Sequence, residues 1–343
     1  MRPLRVEPAD GFAQLEPETD PASVAPVLAA TRKPLLLQFA EPLPARLLDA
    51  AAEALRELPL VGLRAYGGAD PSLEWLPRFA HVRELALDLR AATGFDAVAV
   101  CSRLERLSLG DTAPRRPSLA FLRDLPKLER LSLEGHARDF DVVAELRSLR
   151  RLDLRALRAR SLEPLVDHPA LELLTISFGG IRDLTPLPRI PRLRGLELYQ
   201  VRKLDSGDLE PLRQCERLEA LSLGALRNVE HLDAMPDGVR HLVLERLLGL
   251  ATLRHLGRLR RLEQLFMTEA RPADRRLDVL PLERLRHLIV GDVYPREQLD
   301  AVERTFRGET WWYRGEERRT GSESPRARWR ADLEQLLAGP QPH

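Results

Sequence analysis

A six-residue pattern, apolar-x-x-Leu-x-apolar, recurs eleven times between Leu60 and Val290. No other feature constrains the architecture as tightly, because a repeat of ~22 residues cannot bury its own apolar face and must stack on its neighbours. The pattern starts at Leu60, Val82, Leu104, Leu128, Leu149, Leu171, Leu193, Leu218, Val239, Leu262 and Leu285, so successive anchors lie 21 to 25 residues apart. The fourth position is Leu in every repeat, from Leu63 to Leu288. The Leu-x-Leu step alternates as a strand does, turning anchor+3 and anchor+5 inward and anchor+2, +4 and +6 to the opposite face. Ahead of the anchors, apolar residues step by three, as in Leu119, Leu122, Leu125 and in Leu184, Leu187, Ile190. That spacing suits one or two turns of 3₁₀ or α-helix. The expected fold class is an α/β solenoid, a horseshoe or arc with a parallel concave β-sheet and short 3₁₀ or α turns on the convex side.

Composition narrows the chemistry. Of 343 residues, 44% are hydrophobic but only 5% aromatic, so the core must be mainly aliphatic. The 53 Lys+Arg against 52 Asp+Glu leave a net charge of +1, which argues against bulk attraction to nucleic acid or an anionic membrane. Only Lys33, Lys127 and Lys203 are lysines; with the abundant Ala, Pro and Leu, this points to a GC-rich, bacterial coding sequence. Two cysteines cannot build a disulfide framework, no start segment has the form of a secretion signal, and no apolar run approaches the ~18 residues of a membrane span. A cytoplasmic protein is expected.

Over roughly residues 60 to 293 the sequence resembles the leucine-rich-repeat superfamily. The stretch LELLTISFGGIRDLTPLPRIPRL, from Leu171 to Leu193, is most similar to the short-repeat bacterial class typified by internalins. The resemblance implies the solenoid and a role in recognition, and it says little about activity. The family's Asn, eight residues after the anchor, has no counterpart here. The aligned positions hold Gly68, Arg90, Thr112, His136, Leu157, Gly179, Val201, Leu226, Leu247, Ala270 and Val293. The repeat before Val239 is irregular, with Asp233 and Pro236 at usually apolar positions.

A solenoid must cover its two ends. Residues 1–33 are weakly periodic and are assigned as an N-terminal flank with a short helix near Val24 to Ala30. Residues 34–59 form the N-terminal cap: a strand in KPLLLQF (Lys33 to Phe39), then an amphipathic helix, Pro44 to Leu58, turning Leu47, Leu48, Ala51, Leu55 and Leu58 inward. The solenoid covers 60–293. Residues 294–313 form the C-terminal cap, with a helix from Pro295 to Phe306 and a strand from Thr310 to Tyr313 whose Trp311 or Trp312 seals the last repeat. Residues 314–343 make a charged, flexible linker and a terminal amphipathic helix with Trp329, Leu333, Leu336 and Leu337 on one face. A single short helix is marginal alone, so it docks in cis on this solenoid or mediates contact with another chain, dimerisation included.

Catalytic signatures are missing: no Gly-rich phosphate loop, no H-E-x-x-H, no G-x-S-x-G. Cys101 and Cys215 stand three residues before anchors, where other repeats carry Leu, and read as core residues. Five repeats at ~4.8 Å put them too far apart to pair. His241 and His287, two repeats apart on one row, are too distant for one zinc. His168 reads as a packing residue. No catalytic, cofactor-binding or metal-binding residue is assigned.

Partner recognition has two candidate sites on the open face. The +4 row reads Arg64, Ala86, Ser108, Ser132, Asp153, Thr175, Glu197, Ser222, Val243, Phe266, Ile289, polar first and apolar last. One candidate groups Leu173, Phe178 and Tyr199 with Arg151, Asp153, Arg155 and Glu197, residue types that dominate interface energetics. The other groups Val243, Phe266 and Ile289 with His241 and His287; it is either an external contact site or a patch covered by the chain's own tail. The leading expectation is a non-catalytic module binding a protein partner through the concave sheet, in its sharper form an inhibitor or immunity-type protein. The alternatives are a subunit or regulator of an enzyme complex, and a nucleic-acid-associated protein using the Arg-rich tail. Glu316, Glu317 and Glu323 offset half of that tail's charge, which ranks nucleic acid below protein.

Overall fold

The computed structural model describes residues 2–7, 11–30, 35–90, 92–112, 117–157, 161–291 and 294–313. The chain divides into two compact units, Met1–Ala159 and Arg160–His343. In the first unit the strands are β1 (Arg5–Glu7), β2 (Phe12–Leu15), β3 (Leu35–Phe39), β4 (Val61–Tyr66), β5 (Glu84–Asp88), β6 (Arg106–Leu109), β7 (Arg130–Glu134) and β8 (Arg151–Arg155). β1 and β2 pair antiparallel; from β2 to β8 each strand pairs parallel with the next in chain order. The second unit has β9 (Leu173–Ser177), β10 (Gly195–Tyr199), β11 (Ala220–Gly224), β12 (His241–Glu245), β13 (Gln264–Thr268), β14 (His287–Gly291) and β15 (Glu309–Tyr313), all parallel and in order.

The returns between strands are short. 3₁₀ turns such as Ala120–Asp124 and Phe140–Glu145 in the first unit, and Gly207–Gln214 and Arg254–Arg258 in the second, lead the chain back to the next anchor. No helical turn is described between β11 and β12, where Asp233 and Pro236 interrupt the apolar spacing. Asp233 there contacts His255 of the following repeat, Oδ1 to Nε2, at 2.7 Å. The architecture is the α/β solenoid that the repeat period predicts.

Burial follows the period. The residues at anchor+3 and anchor+5 are buried in all eleven repeats, from Leu63 and Ala65 to Leu288 and Val290. At ~1.5–3 kcal/mol for each large aliphatic side chain, these two rows are the main hydrophobic stabilisation of the sheet. The few aromatics gather at defined places, chiefly Trp75 set edge-on to Phe39 at 5.1 Å and to Phe79 at 5.8 Å. One anchor departs from the pattern: Leu60 is 65% exposed. The helix α2 (Ala45–Glu57), not a 3₁₀ turn, precedes this repeat, and the chain enters β4 through a turn closed by Val61 N–H donating to Leu58 O at 3.0 Å. Val61 is buried in place of Leu60.

The strand exits use the main chain. The residue at anchor+7 is left-handed in Gly67, Gly135, Ala156, Phe178, Gln200, Ala225, Arg246 and Glu269. In six of these the N–H donates to the carbonyl at anchor+6 of the next repeat: Gly67 to Asp88 at 3.3 Å, Gly135 to Arg155 at 2.8 Å, Phe178 to Tyr199 at 3.0 Å, Gln200 to Gly224 at 2.9 Å, Ala225 to Glu245 at 2.8 Å and Arg246 to Thr268 at 2.8 Å. These rungs satisfy backbone groups at the bend leaving each strand. The anchor+8 position is thereby released for packing, and Leu157, Val201, Leu226, Leu247 and Ala270 are buried there. His136 does both jobs, buried with Nε2 2.9 Å from Gly110 O.

At the N-terminal side the weak periodicity of residues 1–33 predicts only a helix, whereas the structure adds two strands. β2 extends the sheet from β3, and β1 folds back on it. The helix α1 (Pro21–Ala29) starts at Asp20, whose carboxylate accepts from Ala22 N–H at 3.2 Å. α2 buries Leu47, Leu48, Ala51 and Leu55. At the C-terminal side α3 (Arg296–Thr305) follows Pro295 and leads to β15. The seal expected of Trp311 or Trp312, the linker and the terminal helix with Trp329, Leu333, Leu336 and Leu337 concern side chains and segments outside the described residues.

Candidate binding surface

The +2, +4 and +6 rows build the open face, and its chemistry differs between the units. In the first unit it is charged and hydrogen-bonded. Arg64 pairs with Asp88 at 2.7 Å and lies 4.9 Å from the centre of the Tyr66 ring. Tyr66 Oη donates to Gln14 Oε1 at 2.9 Å, and Gln38 Nε2 donates to the same oxygen at 3.1 Å. Further along, Arg106 pairs with Glu84 at 2.8 Å and Arg155 with Glu134 at 3.2 Å. Every +4 residue of this unit, Arg64, Ala86, Ser108, Ser132 and Asp153, is half-buried.

In the second unit the +2 and +4 rows carry a buried apolar group. Ala220, Val243 and Phe266 form a buried cluster with Leu173 and Ile289 packed against it. The strand register explains the grouping. Val243, Phe266 and Ile289 stand on consecutive strands, while Gly195 between Leu173 and Ala220 has no side chain to separate them. Val243 is 0% and Phe266 1% exposed. Their polar row-mates Thr175, Glu197 and Ser222 are buried too.

At the strand exits, Phe178 meets the ring of Tyr199 edge-on, with centroids 5.7 Å apart at 68°. Phe178 lines a groove of about 390 Å³ with Gln200, Val201, Arg202, Lys203, Arg227 and Leu248, among others. Leu248 is one of the few large apolar side chains left exposed. At the strand entries, anchor+1 alternates in sign through the second unit: Glu172, Arg194, Glu219, Arg240, Glu263, Arg286. Arg194 pairs with Glu219 at 3.0 Å and Arg240 with Glu263 at 2.6 Å. The alternation is visible in the sequence, yet it has meaning only once the strands are known to pair in register.

The sequence-assigned residues fall as follows. Arg151 and Asp153 are half-buried and Arg155 exposed on β8 of the first unit. Leu173, Phe178, Glu197 and Tyr199 belong to the second unit, with Glu197 fully buried. Leu173, grouped with Phe178 and Tyr199 from the sequence, packs against the Ala220–Val243–Phe266 cluster. His241 and His287 are half-buried on either side of Gln264. The turn of Val243 and Phe266 to the open face does not expose them; alternation predicts direction, not burial.

The titratable core groups are quiet. Burial pushes the thiols of Cys101 and Cys215 up to about 12, and neither is in a disulfide. Buried His168 accepts the N–H groups of Ala170 at 3.3 Å and Leu171 at 3.1 Å through Nδ1, the satisfied packing role read for it. Among the described residues no group of three or more His, Cys, Asp or Glu is placed to hold a metal ion, and no helix is long and apolar enough to cross a membrane.

No protein-family model matches the chain, and no curated protein sequence matches it. Solved structures do. The chain is similar to an internalin (inlF) from Listeria monocytogenes, with TM-score 0.56 and 17% identity over 84% of this chain and 93% of that one. It is also similar to internalin C2 from the same organism, at TM-score 0.45 and 19% identity over 58% of this chain and 83% of that one. The protein in a TLR13–ssRNA13 complex aligns at TM-score 0.48 and 17% identity over 84% of this chain and 46% of its own. The first likeness shows the fold.

Proposed function

From its leucine-rich-repeat fold and the character of its open face, we propose that the chain is a non-catalytic module that recognises a protein partner. The observation that carries this reading is the half-buried Phe178–Tyr199 pair at the strand exits, with half-buried Leu173 and Ile289 on the outward rows of the second unit. Aromatic and arginine side chains are the residue types that most often anchor protein interfaces, and Phe178 shares its groove with Arg202, Arg227 and Arg246. The proposed contact residues of the second unit are Leu173, Phe178, Tyr199, His241 and Ile289; Glu197, Val243 and Phe266 are buried behind them, and Arg151, Asp153 and Arg155 belong to the first unit's own open face. A cytoplasmic setting suits two buried, unoxidised thiols.

The test begins with affinity capture from the source cell and mass spectrometry. The Leu173→Ala, Phe178→Ala, Tyr199→Ala triple variant should then bind the captured protein at least ~100-fold more weakly, the loss expected of two or more interface anchors. Unchanged affinity would remove this face from the interface. In the inhibitor or immunity form of the proposal, the captured protein's own activity falls on binding.

A further inference from the structure

We propose that the groove at the exits of β9–β12 receives an extended acidic segment of a protein, one carrying two or more carboxylates beside an apolar side chain. The inference rests on the partner-recognition reading and deepens it by naming the chemistry that the partner presents. Its basis is a contrast between the two ends of the same strands. At the entries the anchor+1 charges alternate in sign and neutralise one another, Arg194 with Glu219 at 3.0 Å and Arg240 with Glu263 at 2.6 Å. At the exits the charges are of one sign. Arg202, Lys203, Arg227 and Arg246 line the groove, and among the described residues no carboxylate does.

All four cations are exposed. Arg202 and Arg227 hold the same place, nine residues after the anchor, in successive repeats. Arg246 meets Glu269 at 3.4 Å, whereas among the described residues Arg202, Lys203 and Arg227 have no ion-pair partner. Asp205 and Asp208, a little further along the chain, are both held by Arg182, at 3.2 and 2.8 Å. Like charges gathered without a counter-charge repel one another, and carboxylates brought by another molecule relieve that repulsion.

The groove is preformed. Phe178, Gln200, Ala225 and Arg246 turn the chain through the left-handed region at successive exits, and the main-chain rungs tie each turn to the next. Arg202 N–H adds a further tie, donating to Gly179 O at 2.9 Å. A site fixed beforehand loses little freedom on binding. Its lining comes from four consecutive repeats, three strand spacings or ~14 Å, the length of about four extended residues. Apolar surface bounds the cations at both ends: Phe178 from the first of these repeats and Leu248, 54% exposed, from the last. Carboxylates therefore suit the middle, and an aliphatic or aromatic side chain suits either end. A polynucleotide fits less well, because a net charge of +1 supplies no long-range attraction and the ends of the groove offer apolar contacts where phosphates would continue.

The experiment pans phage-displayed random dodecapeptides against the full chain and measures the enriched sequences as free peptides by fluorescence anisotropy. We expect enrichment of peptides with two or more Asp or Glu within about four residues of a Leu, Ile, Phe or Trp. Their affinity should fall at least ~10-fold in the Arg202→Gln, Lys203→Gln, Arg227→Gln variant; three cations are changed together because one exposed pair contributes little alone. It should also weaken as salt shortens the Debye length from ~10 Å at 0.1 M to ~3 Å at 1 M. The substituted side chains are exposed, so the urea midpoint of the variant should match that of the parent. No enriched sequence, enriched sequences without carboxylates, or acidic peptides that bind the variant as tightly would overturn the proposal. A labelled oligodeoxythymidine that binds more tightly than the peptides, and is lost in the same variant, would overturn it in favour of a polynucleotide. The library needs no cellular partner, so the two failures are distinguishable. A protein captured from the cell equally by parent and variant leaves partner recognition standing and removes the acidic segment, whereas capture of no protein counts against partner recognition itself.

Discussion

The ring of Tyr199 fills the space that a side chain at Gly224 would take. The two residues are register partners on β10 and β11, and a Cβ at Gly224 would lie 2.4 Å from Tyr199 Cδ2. Gly224 is in a strand, where glycine usually weakens packing, and here it admits a neighbour's ring. That ring in turn meets Phe178 edge-on, so the rim of the candidate surface is set by a residue that forms no part of it.

Replacing Gly224 should therefore act through Tyr199. The Gly224→Val variant is expected to lose about 1–3 kcal/mol, the usual cost of overpacking. Most of that loss should vanish when Tyr199→Ala is combined with it. Urea unfolding of the four proteins of the cycle measures the coupling, expected at roughly 0.5–3 kcal/mol. Additive losses would show that Tyr199 is not the obstacle.

The charge alternation at the strand entries should behave as a ladder. Arg240→Glu sets like charges beside Glu219 as well as Glu263, and each such contact costs roughly 0.2–1 kcal/mol at a partly exposed site. For an isolated pair, the exchange Arg240→Glu with Glu263→Arg would restore stability. Here it faces Glu219 on one side and Arg286 on the other, so rescue should be incomplete. Denaturation at low and high salt tests this, since the deficit should shrink as the Debye length falls from ~10 Å at 0.1 M to ~3 Å at 1 M. Full rescue by the exchange would reduce the ladder to separate pairs.

The two thiols should mark the alkaline limit of the fold. Cys101 and Cys215 are raised from 9.0 to about 12 by burial, so the folded state holds their protons more tightly than the unfolded chain does. Their stabilising contribution is whole below pH ~9 and is lost as pH rises from there towards 12. A disulfide-exchange reagent at pH 8 should label neither thiol in the native protein and both after denaturation. Cys101→Ala with Cys215→Ala should flatten the fall in stability above pH 9. Rapid labelling of the native protein would contradict the burial that underlies this prediction.

The inward rows were legible because each repeat decides them alone: Leu63, Leu131 or Leu242 is inward by its own alternation. Leu60 differs from the other anchors for a local reason, since the helix α2 leads into its strand. The left-handed exits were half-legible. Gly67 and Gly135 advertise a positive φ, whereas Phe178, Gln200 and Arg246 carry no such signal and are held there by a rung from the next repeat. At the candidate surface the sequence placed Val243, Phe266 and Ile289 on one row, which register alone determines. Their burial, and the joining of Leu173 to them across Gly195, depends on side-chain sizes on neighbouring strands. Those are relationships between distant parts of the chain that no single repeat records.

The strand-entry charges have a consequence for how such a chain can change in length. Repeat proteins grow and shrink by gain or loss of whole modules, and the main-chain rungs at the strand exits make one module nearly as good a neighbour as another. The row from Glu172 to Arg286 is different, because its sign repeats every second module. Loss of one module would bring two carboxylates or two guanidinium groups face to face, whereas loss of two would leave every pairing intact. Within this stretch, loss of an even number of repeats should therefore cost less than loss of an odd number, a small parity bias set by six side chains.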